Sequence, residues 1–218
     1  TLNNAGLISG LTNSIVISGK SSSVLNNSNT GEITSITGDG ILIKDTASVD
    51  LKNSGEITGG NGVAINFSGT GINSLTLDSG SALNGNVVSN TSDTNKVNLI
   101  NSGTEDANFT GTSASTGFKS LTMEGNDWAL TGDINLTGSD ESTLRVNSGM
   151  LTLSGNVTSA GKTQIQSGGG VLVETTGSLT TPEINTEEGA WFASQGTVIG
   201  NINNSGTVVA YNALPGNE

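Results

Sequence analysis

One phrase returns along this chain about every two dozen residues. It runs from one or two apolar residues through a polar step or two to a glycine, and an apolar stretch often follows. It reads Leu2-Asn-Asn-Ala-Gly6, Leu51-Lys-Asn-Ser-Gly55, Leu77-Asp-Ser-Gly80, Leu99-Ile-Asn-Ser-Gly103, Leu121-Thr-Met-Glu-Gly125, Val146-Asn-Ser-Gly149 and Ile202-Asn-Asn-Ser-Gly206. Looser copies sit at Gly31, Gly169 and Gly189. The anchors stand roughly two dozen positions apart from Gly6 to Gly149 and closer together from Gly149 to Gly206. A period of this size marks a coil that adds one rung per repeat, each rung burying its apolar face on the next.

One repeat, from Gly55 to Gly80, shows how a rung is made. Glu56-Ile-Thr58 is extended, Gly59-Gly-Asn-Gly62 turns, Val63-Ala-Ile-Asn-Phe67 alternates, Ser68-Gly-Thr-Gly71 turns again, and Ser74-Leu-Thr-Leu77 alternates. Three short strands per rung of ~24 residues predict an all-β, parallel β-helix with about nine to ten rungs. Alternation sends every other side chain into the tube, so Val49 and Leu51, Leu75 and Leu77, Val97 and Leu99, Leu121 and Met123, and Leu144 and Val146 are expected inside. Asn4, Asn53, Asn101, Asn147 and Asn204 precede the corner glycines and are expected to stack as a ladder. Residues 1–218 read as a single β-helix segment with shorter rungs after about residue 150, where Trp191 and Phe192, like Trp128, are expected to pack the core. The repeats run to both ends, with no initiator Met and a close at Leu214-Pro-Gly-Asn-Glu218, so the chain reads as a piece of a longer protein.

Composition limits the chemistry. The chain has no Cys and no His, which removes thiolate metal sites and the commonest general base and transition-metal ligand. A net charge of −12 with a single arginine, Arg145, supplies no basic stripe for nucleic acid or anionic lipid. Leu77-Asp-Ser-Gly-Ser81 resembles the Asp-Ser-Gly nucleophile motif of trypsin-like proteases, but Leu77 stands where that motif has Gly and no His can activate Ser79. The carboxylate pairs Glu105-Asp106, Asp140-Glu141 and Glu187-Glu188 fall in polar turns, where solvated acids are ordinary. Gly59-Gly-Asn-Gly-Val-Ala-Ile65 is half of a calcium-binding nonapeptide, with Ala64 in place of the required Asp and no second copy. We therefore expect no catalytic residue, cofactor or metal, and no enzyme.

Asn53-Ser-Gly-Glu-Ile-Thr-Gly-Gly-Asn-Gly-Val-Ala-Ile65 and Asn203-Asn-Ser-Gly-Thr-Val-Val209 resemble the passenger domains of type V secreted autotransporter adhesins of the AIDA-I, antigen 43 and ShdA kind. Two-partner secreted haemagglutinins share the coil. The resemblance implies a right-handed β-helix, exported through the outer membrane of a Gram-negative bacterium and displayed at the cell surface. It implies an adhesin that promotes aggregation, biofilm formation or host adhesion. Partners would be copies on neighbouring cells or a host surface protein or glycan. Contact with the membrane would run only through a C-terminal translocator barrel outside this sequence. A passive stalk and a tailspike-like carbohydrate-active enzyme are the alternatives.

An interaction site is expected where the phrase is interrupted. The longest such stretch is Thr104–Gly117, expected to bulge from the coil as a loop that carries Thr104, Glu105, Asp106, Asn108 and Thr110, with Asp78 and Asn101 in the flanking turns.

Overall fold

The computed structural model describes residues 1–91 and 93–210; the Leu214–Glu218 end lies outside them. Its 25 strands, from Leu2–Asn4 to Thr207–Ala210, pair in parallel, and no helix occurs among the described residues. Three columns of stacked strands make a parallel β-solenoid. In the first column Asn4, Asn27, Asn53, Leu77, Leu99, Met123, Val146, Ile165, Thr186 and Asn204 are successive register partners. Ten partners define nine turns, on the order of 45 Å at ~4.8 Å per rung. Rungs measured this way are longer as far as Val146, as from Asn27 to Asn53, than beyond it, as from Thr186 to Asn204.

Inward positions follow the predicted alternation, and all ten apolar residues named above are buried. Their stacking differs from the phrase alignment. Leu51 pairs with Leu75, and Leu77 pairs with Asn53. The corner Leu77-Asp-Ser-Gly80 is one residue shorter than Leu51-Lys-Asn-Ser-Gly55, so equal spelling does not mean equal height on the coil.

The corner asparagines divide for the same reason. Asn4, Asn27 and Asn53 form a buried ladder, Asn4 Nδ2 donating to Asn27 Oδ1 and Asn27 Nδ2 to Asn53 Oδ1, each at 2.8 Å. The ladder ends when Asn53 Nδ2 meets Ser81 Oγ at 2.8 Å. Asn101 and Asn147 lie outside it and donate to Asp78 and Glu124, while exposed Asn204 bonds only its own corner at Gly206. A second internal ladder occupies another corner, where Asn73 Nδ2 donates to Asn95 Oδ1 at 2.7 Å and Asn95 Nδ2 to Ser89 Oγ at 2.8 Å. Where the rungs shorten, buried hydroxyls take over, Thr143 bonding Ser159 and Thr163 donating to Thr181. Short hydroxyl side chains satisfy the turn's polar groups in less space than an amide.

Phe67, Phe109 and Phe118 fill the middle rungs edge to face, with ring centroids 6.2 and 5.9 Å apart. Trp128 and Phe192 are core residues as expected. Trp191 is not: it is half-buried, its indole lying against the Cα of Gly170, where a Cβ would meet the ring at 2.1 Å.

The second column is broken. Leu7–Gly10, Glu32–Ser35, residues 56–58 and residues 82–84 form one run, and a separate six-stranded sheet begins at Ser102–Glu105. The other two columns continue past this break.

Candidate interaction surface

The stretch read as a protruding loop is tied to the coil at two places. Ser102–Glu105 pairs with Asp127–Leu130, and Phe109–Gly111 pairs with residues 87–89, with the link 106–108 between them and a turn at 112–116 beyond, exposed over 112–115. The candidate residues therefore separate. Thr104 is exposed on the second column, beside a shallow depression of about 380 Å³ lined also by Ser102, Asp127 and Thr152. Trp128 underlies that depression at 1% exposure, its indole N–H donating to Ile100 O at 3.1 Å, so no ring face is open for sugar stacking. Asp106 is exposed, whereas Glu105 is 3% exposed and unavailable for contact.

Asn108 and Thr110 belong to the third column. Asn108 Nδ2 donates to Asn86 Oδ1 at 3.0 Å, and its Oδ1 accepts from Asp133 N at 2.7 Å. Asp133 in turn accepts from Asn156 N and Nδ2 at 2.9 Å, and Ser178 Oγ donates to Asn156 Oδ1 at 2.9 Å. A polar seam thus climbs one corner of the rod.

Asp78 and Asn101 do come together. Asp78 Oδ1 accepts from Asn101 Nδ2 at 2.6 Å, and Asp78 Oδ2 pairs with Lys52 Nζ at 2.8 Å. Partial burial works to raise the Asp78 carboxyl, but Lys52, Asn101 and the Ser79 N–H outweigh it and hold the group below the usual carboxylate range. Ser79 Oγ donates to Ser102 O at 2.9 Å, a clasp between consecutive corners. The adjacent-acid pairs are engaged separately: Lys119 holds Asp140 at 3.3 Å, Lys162 holds Glu141 at 3.3 Å, and Gln164 donates to Glu187 at 3.0 Å. No three His, Cys, Asp or Glu side chains are placed to hold a metal ion among the described residues.

Charge is distributed unevenly among the three columns. The first column carries Asp50, Lys52, Lys96, Arg145, Lys162 and Glu183, and the second carries Glu32, Glu56, Glu105 and Asp127 with no base. The nine strand segments of the third column carry no ionisable residue, on a molecule of net charge −12. Its solvent side presents Val16, Leu42, Asn66, Val88, Thr110, Asn135, Thr158, Thr180 and Ile199 in register, all half-buried except Val16, Thr158 and Ile199, which are exposed. Asn66 Nδ2 is held by Asp39 Oδ2 at 2.9 Å.

Compared with known proteins, the chain matches no family model, no curated protein sequence and no solved structure. The class defined by the fold is a parallel β-solenoid of about nine turns.

Proposed function

We propose that this chain is an adhesive, non-enzymatic module of a bacterial surface rod, promoting aggregation or adhesion to host surfaces, with the third column as its contact face. The observation that carries the reading is the absence of ionisable residues from that column. Two copies at −12 repel, and the repulsion is smallest where neither presents a charge. The neutral Asn and Thr side chains offer hydrogen bonds worth roughly 0.5–1.5 kcal/mol each. A strip three residues wide and nine rungs long covers on the order of 450 Å² per copy by strand spacings. That is about half of what a standard stable interface buries per partner. Single pairs are therefore weak, and many copies on one cell supply the avidity. The resemblance to autotransporter passengers supports surface display, and a host surface protein or glycan is the other partner for the same face.

A second reading, a passive stalk for another domain, is favoured by one observation: the stretch 104–117 follows the coil instead of leaving it. Display of the chain on a non-aggregating bacterium separates the readings. Settling that excess purified chain inhibits supports self-association, and host binding without settling supports the heterotypic partner. Neither settling nor host binding, with display intact, leaves the stalk.

A further inference from the structure

We propose that Glu105 makes the break in the second column a pH-responsive seam, closed when its carboxyl is neutral and loosened when it ionises. The geometry is specific to this rung. Residues 82–84 pair with 56–58 below them and with no strand above, while Ser102–Glu105 pairs only with Asp127–Leu130. In place of a strand carbonyl, the Leu83 N–H finds Glu105 Oε1 at 3.4 Å, and the Ala107 N–H shares that oxygen at 3.4 Å. A side chain thus bridges two sheets that the backbone leaves apart. The carboxyl lies in register with Leu130, whose own partner is Leu153, so it heads an inner column that is apolar from Leu130 through Val173. Its Oε2 is buried without a hydrogen-bond partner.

A buried carboxylate with two long donors and one bare oxygen is poorly solvated, and proton uptake relieves it. Burial is the main cause that pushes Glu105 up to about 7, against the lowering effect of the Ala107, Leu83 and Asp106 N–H groups. The charges around it do not help the anion. Asp106, next in the chain, adds negative charge. The strand Ala82–Ser89 has no ionisable residue, Asp127 is the acid on the facing strand, and Glu56 approaches Asn84 Nδ2 at 2.6 Å on the next rung. No salt bridge reaches Glu105 among the described residues.

The sign follows from linkage. The closed seam holds its proton up to about pH 7, whereas an opened, hydrated Glu releases it near the ordinary 4.5. Opening therefore becomes easier as pH rises between those values and levels off above them, by up to about tenfold per pH unit. Because the first and third columns run unbroken past the seam, the opening is local.

Amide hydrogen exchange on the intact chain tests this, with intrinsic rates corrected for pH. Protection at Leu83 and Ala107 is expected to fall a few tens of fold from pH 5 to 7, relative to Leu75 and Leu121 on the first column. In Glu105→Gln that differential vanishes, and in Glu105→Leu, which continues the apolar column, both amides lose the carboxyl acceptor but show no pH response. A carbon-detected carboxyl titration of wild-type Glu105 with its midpoint near 7 agrees with the proposal. A midpoint near the ordinary value, or the same pH response in wild type and Glu105→Gln, overturns it.

Discussion

At the residue scale, the corner asparagines show how one residue type takes two roles. Asn27 is 1% exposed and donates to Asn53 Oδ1, Gly31 O and Glu56 O while accepting from Asn4. Asn101, in the same sequence context, is exposed, adopts a φ of 54°, and ties only Asp78. Asn27→Ala is expected to cost about 2–4 kcal/mol, measured by urea unfolding, because it strands buried partners on three rungs. Asn27→Leu is expected to destabilise as well, although Leu77 and Leu99 occupy the same inner column. A leucine satisfies none of the amides and carbonyls that surround Asn27. That asparagines mark corners was readable from the chain. Which of them are buried was not, because it depends on the residue one rung away.

At the scale of the element, each rung contacts its neighbours through three columns, two at the break in the second, so stability is carried by the interfaces between rungs. Met123 and Val146 are register partners on successive rungs. Deleting residues 124–146 therefore removes one whole rung and joins Met123 to Asn147 at the same point on the coil. The shortened chain is expected to fold with its parallel stacking intact and to be shorter by ~4.8 Å. Circular dichroism and small-angle scattering check this; deleting only the first half of that segment, 124–135, is expected to unfold the chain locally by breaking the register. The rung period was legible because Gly and Asn punctuate it. The break in the second column was not, since Gly103-Thr-Glu-Asp106 reads locally as a polar turn. Pairing with Trp128 and Leu130 makes Gly103 and Glu105 interior positions of a strand.

At the scale of the whole molecule, net charge and its placement govern association. If the third column is the contact face, sedimentation velocity is expected to show a dimer fraction that rises from low to physiological ionic strength, as screening shortens repulsion to ~8 Å. Thr158→Glu combined with Thr110→Glu places carboxylates on that face and is expected to abolish the salt-dependent species, with the unfolding midpoint little changed because Thr158 is exposed and Thr110 half-buried. An unaltered association in the double variant moves the contact to another column. Monomer at both ionic strengths and at high concentration removes self-association in solution.

A recurring period, alternating apolar runs and glycine corners lead to a stacked β-coil, because those are local preferences that each repeat expresses independently. Tertiary structure decided the register between rungs, since corner lengths vary and a residue's partner lies a full turn of the coil away. From that register follow the Asn4–Asn27–Asn53 ladder, the burial of Glu105 at a sheet break, and the collection of uncharged strands into a single column. None of these is a property of a segment, and each exists only once one rung rests on another.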